Sequence, residues 1–452
     1  MSNNKIDMLH GPLLMKILLF ALPLAASSLL QQFFNSVDVA VVGLFVGNKA
    51  LAAVGSNAPV IGLFINMMVG LSLGANAVIS NHIGQTDPVR IRRSISTVGR
   101  LSILCGLFIA IVGFFTAGQI LALMGTPEDV IDQASLYLRI YFVGLPFLSV
   151  FNFGSAILRS MGDTRRPLYI LIVAGFINAM LNLLFVIVFG MGIAGVAIAT
   201  CIADAISAVI IVRLLLKEKD PYCLNIKELK IHVEELKPML KIGIPAGVQG
   251  MIFSVSNVVV QSAINGYGAN AMAGSAAALN FEYYCYFMIQ AFNGAAISFI
   301  GQNYGAGQMD RVRRVFRLCM LLSVLSCGLL NALFVWQDRL FLGLFTAELP
   351  VIAYGITRMH IVLGWQWIAS SYEVASSSLR GMGFSVTPAL LTVFGTCLFR
   401  VFWVFVVCPR WPGYDVLMTV YPISWIFTGT MVLAAYFIIM RSLSRKRVSR
   451  EM

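Results

Sequence analysis

The chain has 452 residues, of which 59% are hydrophobic and only 12% charged, with a formal net charge of +12. Soluble domains carry about 25% charged residues, so this composition excludes a soluble globular protein and makes the bilayer the solvent for most of the surface. The positive charge does not indicate nucleic acid as a partner, because the basic residues sit in short clusters between long apolar runs, as membrane topology charge does.

The N-terminus, Met1 to His10, is polar and short, and the run that follows it is too long for the core of a cleaved signal. Twelve apolar runs then follow, at 13–46, 51–81, 95–118, 132–158, 166–189, 193–216, 239–265, 270–303, 315–337, 350–379, 387–408 and 417–441. A spanning helix needs about 20 residues, so the expected fold is an all-α integral membrane protein with twelve transmembrane helices. The runs at 13–46, 51–81, 270–303 and 350–379 exceed one membrane thickness and are expected to tilt, bend or project from it. Pro23 and Pro245 occupy equivalent places in the first and seventh runs, where proline kinks a helix. Between the sixth and seventh runs lies a polar segment with Lys227, Glu228, Lys230, Glu234 and Glu235 at helical spacing, which reads as a partly helical linker. The expected organisation is a six-helix lobe over 1–216, a cytoplasmic linker over 217–238, a second six-helix lobe over 239–441 and a basic tail over 442–452.

Orientation follows from the cations. With the N-terminus inside, 26 of the 32 Lys and Arg residues fall in inner segments, adjoining span ends or the tail, among them Lys446, Arg447 and Arg450. Only Lys49, Arg339 and Arg410 fall in outer loops. This asymmetry places both termini in the cytoplasm. The eight cysteines form no CxxC pair and no Cys/His metal spacing, so they read as packing residues.

The chain repeats itself about 221 residues apart. Leu158-Arg159-Ser160-Met161-Gly162 recurs as Leu379-Arg380-Gly381-Met382-Gly383, Pro167 as Pro388, and Arg92-Arg93 as Arg313-Arg314. Leu22-Pro23 with Asn35 aligns with Ile244-Pro245 and Asn257. Solenoid repeats run at about 20–50 residues, so this period means two similar halves. With six spans each, they are parallel repeats, expected to enclose one central site.

Carboxylates inside apolar runs are functional candidates, because each costs at least about 2.5–3.5 kcal/mol at mid-membrane. Four fall there: Asp38, Asp204, Glu282 and Glu373. Asp38 shares one helical face with Asn35, and Gln32 lies in the same run. Asn178 and Asn182 share a face of the fifth run, and Thr200 and Asp204 a face of the sixth. These three faces are expected to converge on a wet pocket where Asp38 either exchanges a proton or, with amide and hydroxyl oxygens, coordinates a monovalent cation. In the second half Asn257 repeats Asn35, but Val260 stands where Asp38 would predict an acid. That half offers Glu282 with Tyr283 and Tyr286, then Gln290 and Glu373, a set of acids and aromatics suited to an amphipathic organic cation, and with Asn257 and Gln32 these are the expected substrate-binding residues. Arg139 and Arg358 read as interfacial anchors, while Arg400 is deeper and needs a partner, with Glu282 and Glu373 as the candidates. No phosphate-binding loop, nucleophile elbow or zincin motif occurs, so neither ATP nor an enzymatic reaction is expected.

Across essentially its whole length the chain resembles the multidrug and toxic compound extrusion (MATE) transporters. The resemblance rests on the two six-span lobes, on Asn35-Ser36-Val37-Asp38-Val39-Ala40-Val41-Val42-Gly43, on Gly301-Gln302-Asn303-Tyr304-Gly305-Ala306-Gly307, and on Leu-Arg-x-Met-Gly followed by proline in both lobes. It implies export of amphipathic, often cationic, compounds in exchange for protons or sodium, by alternating access in a V-shaped bundle in a prokaryotic plasma membrane. It also implies ion coupling at Asp38, with Asn178 and Thr200 lining the same site and any sodium held by these three, and bending of the first span at Pro23. Many family members carry an acid where this chain has Asn182, and Phe253 stands near the place of a seventh-span glutamate used by another branch. Both departures favour protons. The expected partners are small amphipathic substrates, the coupling cation and membrane lipids. No nucleic acid and no further cofactor is expected, and the chain is expected to act as a monomer. A lipid-linked oligosaccharide flippase of a related two-lobed superfamily is the alternative, opposed by the acidic character of the deep charges.

Overall fold

The computed structural model describes residues 5–451, with the side chains of Asn48, Asp129 and residues 446–451, among them Lys446, Arg447 and Arg450, outside the description. The described residues form helices and connecting turns, with no strand among them. The first half consists of α1 (Leu13–Phe45), α2 (Asn48–Gly84), α3 (Pro88–Leu123), α4 (Glu128–Ser160), α5 (Arg165–Leu183) and α6 (Gly192–Leu216), with a π-helical stretch, Leu184–Val188, continuing α5. The second half begins with α7 (Val233–Asn265), α8 (Ala269–Gly305), α9 (Met309–Trp336) and a short α10 (Asp338–Gly343). Its next run divides into α11 (Leu349–Ile361), a 3-10 stretch over Leu363–Ala369 and α12 (Ser370–Gly381). The following run is α13 (Val386–Thr392), a π stretch over Val393–Leu398, α14 (Phe399–Phe402) and a second π stretch over Trp403–Val407. The last helix is α15 (Tyr414–Glu451).

Among the described residues ten helical segments are long and apolar enough to cross a membrane, so the protein is a multi-pass membrane protein. The two expected spans outside that count are helical too. α8 carries Asn280, Glu282, Gln290 and Asn293 along its 37 residues, and the run at 350–379 is interrupted at Leu363–Ala369.

The repeated pentapeptide has a backbone explanation. Gly162 and Gly383 both adopt positive φ, +88° and +92°, conformations that L side chains disfavour. Each closes its helix with a pair of reverse hydrogen bonds. Gly162 N donates to Arg159 O at 3.0 Å and Asp163 N to Leu158 O at 3.0 Å, matched by Gly383 N to Arg380 O at 2.9 Å and Phe384 N to Leu379 O at 2.8 Å. The repeat therefore conserves a helix stop, and α5 and α13 start afresh within a few residues.

The chain forms two compact units, one of Met1–Gly11 with Leu22–Gly247 and the other of Pro12–Ala21 with Val248–Met452. The changeovers fall inside α1 and α7, beside Pro23 and close to Pro245. Both helices continue through their prolines, and Ser27 Oγ donates to the Pro23 carbonyl at 2.8 Å. In the first unit the core gathers Val42, Val60, Met68, Leu121, Phe142 and Val196 from five helices. Close approach is set by glycine, since a Cβ at Gly113 would enter the Phe142 ring.

The segment 217–238 is partly helical, with a 3-10 turn at Ile226–Glu228 and, from Val233, the first turns of α7 carrying Glu234 and Glu235. Its backbone is clipped to α3. Lys230 N donates to Ser96 Oγ at 2.8 Å, His232 N to Thr97 Oγ1 at 3.0 Å, and Arg100 Nη1 to Leu229 O at 3.2 Å. Arg92 pairs with Asp220, and Glu218 accepts from both Lys5 at 2.6 Å and Arg166 at 2.5 Å. Lys227, Glu228, Lys230 and Glu234 face outward, Glu235 is buried beside His82 and Arg90, and the main chain finds its partners on a neighbouring span.

Candidate functional site

In the first unit α1 and α5 meet where Gly175 has no side chain, because the Phe34 ring fills the place a Cβ would take. One turn along from Phe34, Asp38 accepts a hydrogen bond from Asn182 Nδ2. Asn182 also donates to Asn178 Oδ1 at 3.2 Å, Asn178 Nδ2 donates to Thr200 Oγ1 at 3.3 Å, and Thr200 donates back to Val196 O at 3.1 Å. The polar faces read from α1, α5 and α6 thus join in one chain that ends on the Asp38 carboxylate. Asp204, one turn past Thr200, lies close enough to Asp38 for the two charges to repel. Asn35 is exposed and Gln32 half-buried, and among the described residues no hydrogen bond ties either side chain into this chain.

The oxygens matter most for chemistry. Asn182 is fully buried, yet its Oδ1 has no donor among the described residues. A buried acceptor without a partner is costly. Here it stands beside a carboxylate, with Thr200 Oγ1 and Asn178 Oδ1 one residue further along. Among the described residues no cluster of three His, Cys, Asp or Glu side chains exists to hold a metal ion, so a transition-metal centre finds no ligands. The oxygen set instead suits a proton on Asp38 or a hard monovalent cation, which takes oxygen ligands.

The second unit holds three separate arrangements. Glu282 on α8 is buried and pairs bidentately with Arg358 on α11, at 2.5 and 3.0 Å, and Arg358 also donates to Ser275 Oγ at 2.6 Å. Arg358 is only 2% exposed, so it is no interfacial anchor. Its charge is balanced inside the lobe rather than carried to the lipid boundary. The Glu282 carboxylate is spent on that pair, and Gln366 Nε2 donates to its main-chain carbonyl at 3.0 Å. Tyr283 and Tyr284 are exposed.

Glu373 lies in a different network. It accepts from Tyr286 Oη at 3.2 Å and Asn293 Nδ2 at 2.9 Å, and Gln290 joins both donors, giving to Tyr286 Oη and taking from Asn293 at 3.3 Å. Arg380 lies within electrostatic reach of Glu373 and donates to Gln249 Oε1 at 2.6 Å. Arg400 joins neither acid. It donates to Asn257 Oδ1 at 2.9 Å and Ser424 Oγ at 3.4 Å, and lies 4.5 Å from the Tyr421 ring centre and 5.2 Å from that of Phe253.

Four further residues belong to these networks. Asn293 lies three residues after Gln290 and seven after Tyr286, so helical spacing puts it on their face. Arg380, the arginine of the second Leu-Arg-x-Met-Gly motif, is buried. Tyr137 and Tyr141, stacked at 6.2 Å on α4 near Asp38 and Asp204, gave no signal in an apolar run rich in aromatics.

The MatE family model matches residues 23–184 and again 245–406. The probable multidrug resistance protein YoeA of Bacillus subtilis (strain 168) is 30% identical over 384 residues, which is 83% of each chain. The probable multidrug resistance protein YpnP of the same organism is 31% identical over 369 residues, 81% of this chain and 80% of the other. Among solved structures, a MATE in the straight conformation superposes with a TM-score of 0.91 over 98% of this chain and all of the other. At 20% identity that likeness concerns the fold alone.

Proposed function

The chain belongs to the MatE family, and from that premise we propose that it exports amphipathic organic compounds, often cationic, in exchange for a cation. The observation that carries the proposal is the chain of hydrogen bonds from Thr200 through Asn178 and Asn182 to Asp38, with the buried Asn182 Oδ1 left over beside the carboxylate. Asp38 is the coupling group. Charged, it accepts from Asn182 and holds α1 against α5. Taking up a proton removes the charge that strengthens this bond, so the α1–α5 contact weakens in one protonation state and tightens in the other. The same oxygens of Asp38, Asn178 and Thr200 would hold sodium if sodium were the coupling ion. Asp204 adds a second negative charge to the neighbourhood.

Export against a gradient needs the ion and the substrate to favour different conformations. Pro23 removes one main-chain hydrogen bond from α1 fifteen residues before Asp38, which makes it the place for that helix to bend. Pro245 is its counterpart in α7. The transport cycle is alternating access, in a prokaryotic plasma membrane, with both termini cytoplasmic as the cation asymmetry directs.

The test is transport by the purified protein in proteoliposomes, with a proton gradient or a sodium gradient imposed alone. An Asp38→Asn variant is expected to bind substrate but lose gradient-driven export. Full retention of coupled export by that variant would reject the role of Asp38. A wild-type protein that moves organic cations with neither gradient would reject coupling altogether.

A further inference from the structure

The twofold repeat allows the two lobes to be compared position by position, and at one place their charge is inverted. With an offset of 221, Asn178 of α5 corresponds to Phe399, adjacent to Arg400, and Thr200 of α6 corresponds to Tyr421 of α15. With an offset of 222, Asn35 of α1 corresponds to Asn257 of α7. The same three elements that carry Asp38, Asn178 and Thr200 in the first lobe therefore carry Asn257, Arg400 and Tyr421 in the second. In both lobes they are joined by side-chain contacts, Asp38 to Asn182 in one and Arg400 to Asn257 in the other. The first site ends on a carboxylate and the second on a guanidinium.

That guanidinium is incompletely matched. Arg400 is 1% exposed, and its Nη2 has no hydrogen-bond partner among the described residues. Both acids of the second unit's spans are engaged elsewhere, Glu282 with Arg358 and Glu373 with Tyr286 and Asn293. The neighbours of Arg400 are neutral: an amide, a hydroxyl and the faces of Tyr421 and Phe253. Ring faces attract a cation but do not cancel its charge, and a buried charge is ordinarily paired. The backbone has been shaped around this residue, since α14 is a four-residue segment between two π stretches, Val393–Leu398 and Trp403–Val407. Such stretches re-aim side chains and concentrate at functional positions. Asn257, whose side-chain oxygen accepts from Arg400, is itself exposed on α7, so the guanidinium lies one residue from the surface.

We propose that Arg400 forms an anion-binding subsite in the second lobe that takes the carboxylate of an amphipathic organic molecule, with the rings of Tyr421 and Phe253 receiving its apolar part. The guanidinium offers a planar fork that matches a carboxylate. This rests on the reading that the chain handles amphipathic organic compounds, and it extends the substrate range to acids and zwitterions.

The experiment is equilibrium dialysis of the purified full chain in detergent with 2-naphthoate, and with 2-naphthalenemethanol as the neutral analogue of the same shape. The wild type is expected to bind the acid at least about tenfold more tightly than the alcohol, a difference of about 1.4 kcal/mol or more. Arg400→Gln is expected to reduce acid binding to the level of the alcohol. Asn257→Asp, which supplies the missing negative charge from within the protein, is expected to do the same while melting at or above the wild-type temperature, so a folding failure of the first variant leaves the second informative. Equal binding of acid and alcohol by the wild type, or undiminished acid binding by the Asn257→Asp variant, would overturn the proposal. So would complete displacement of naphthoate by millimolar chloride, which would assign the site to an inorganic anion. The dialysis imposes no gradient and reads binding alone, so its failure and a failure of the coupling mechanism, which is read in gradient-driven export, are distinguishable.

Discussion

Replacing Glu282 with Gln is expected to destabilise the second unit severely, whereas replacing both Glu282 and Arg358 with apolar residues is not. Arg358 is 2% exposed, and two of its three hydrogen bonds, at 2.5 and 3.0 Å, go to the Glu282 carboxylate; only the 2.6 Å bond to Ser275 is independent of it. Glutamine keeps one acceptor oxygen, turns the other into a donor facing a guanidinium that can only donate, and removes the balancing charge. Breaking one side of a buried pair costs about 3–5 kcal/mol, while replacing both by apolar groups of similar volume is often neutral or stabilising. The expected cycle is therefore a loss of about 3–5 kcal/mol for Glu282→Gln, a comparable loss for Arg358→Met, and recovery to within about 1–2 kcal/mol for Glu282→Leu with Arg358→Met. Denaturant unfolding in micelles, followed by circular dichroism, reads all three. A Glu282→Gln protein as stable as wild type, with organic-cation binding lost, would refute the structural role and return Glu282 to the substrate. A double variant no better than the singles would refute the pairing energetics.

Gly175→Val drives a side chain into the Phe34 ring and should separate α1 from α5, abolishing gradient-driven export and lowering the melting temperature, as overpacking costs typically about 1–3 kcal/mol; a fully active variant would show that the contact does not position Asp38. Gly162→Ala and Gly383→Ala impose the same positive-φ strain, about 1–2 kcal/mol, but only at Gly162 does the new methyl meet another segment, the main chain of Ile6. The first should therefore melt clearly below the second, and equal melting temperatures would remove the Ile6 contact from the account. Burial alone would push the Glu218 carboxyl up, but Lys5 and Arg166 outweigh it and hold the group below the usual carboxylate range. Because the folded value is the lower one, the stabilisation is complete above the unfolded value of about 4.3 and disappears as pH falls through the folded one. The difference in melting temperature between wild type and Glu218→Gln should accordingly be constant at neutral pH and shrink to nothing under acid conditions; a difference that persists there would mean that shape rather than charge is responsible.

What the sequence disclosed depended on the distance over which each interaction acts. Proline positions and polar faces are local, so Pro23 and the spacings of Asn35 with Asp38, Asn178 with Asn182 and Thr200 with Asp204 could be read directly, whereas the helix stop at Gly162 showed only as a repeated motif. Partner choice is not local. Glu282 and Arg358 lie 76 residues apart, and nothing in their own helices distinguishes pairing within the lobe from a snorkelling arginine and a substrate-binding acid. The non-helical part of the linker was hidden for a related reason. Alternating Lys and Glu fit a helix, but the main-chain groups of Leu229, Lys230 and His232 found Arg100, Ser96 and Thr97 on α3, and a segment satisfied from outside needs no helix of its own. The interruption at Leu363–Ala369 likewise lacks a local cause, since its apolar residues suit a helix as well as a 3-10 turn.

The duplication also separates what a fold must keep from what it can trade. Both lobes retain glycine at the positive-φ helix stop, proline beside the changeover in the opening helix, and a π stretch at nearly equivalent places, Leu184–Val188 and Trp403–Val407. Each of these is a backbone requirement that few residues can meet. Side chains at the meeting of the three elements face a looser condition, because any polar group survives there provided its charge and hydrogen bonds are met. One lobe met it with a carboxylate fed by a chain of amides, the other with a guanidinium laid between aromatic rings and held by an amide. The opposite signs follow from that freedom, and in each lobe one buried atom beside the charge, Asn182 Oδ1 in the first and Arg400 Nη2 in the second, has no hydrogen-bond partner among the described residues.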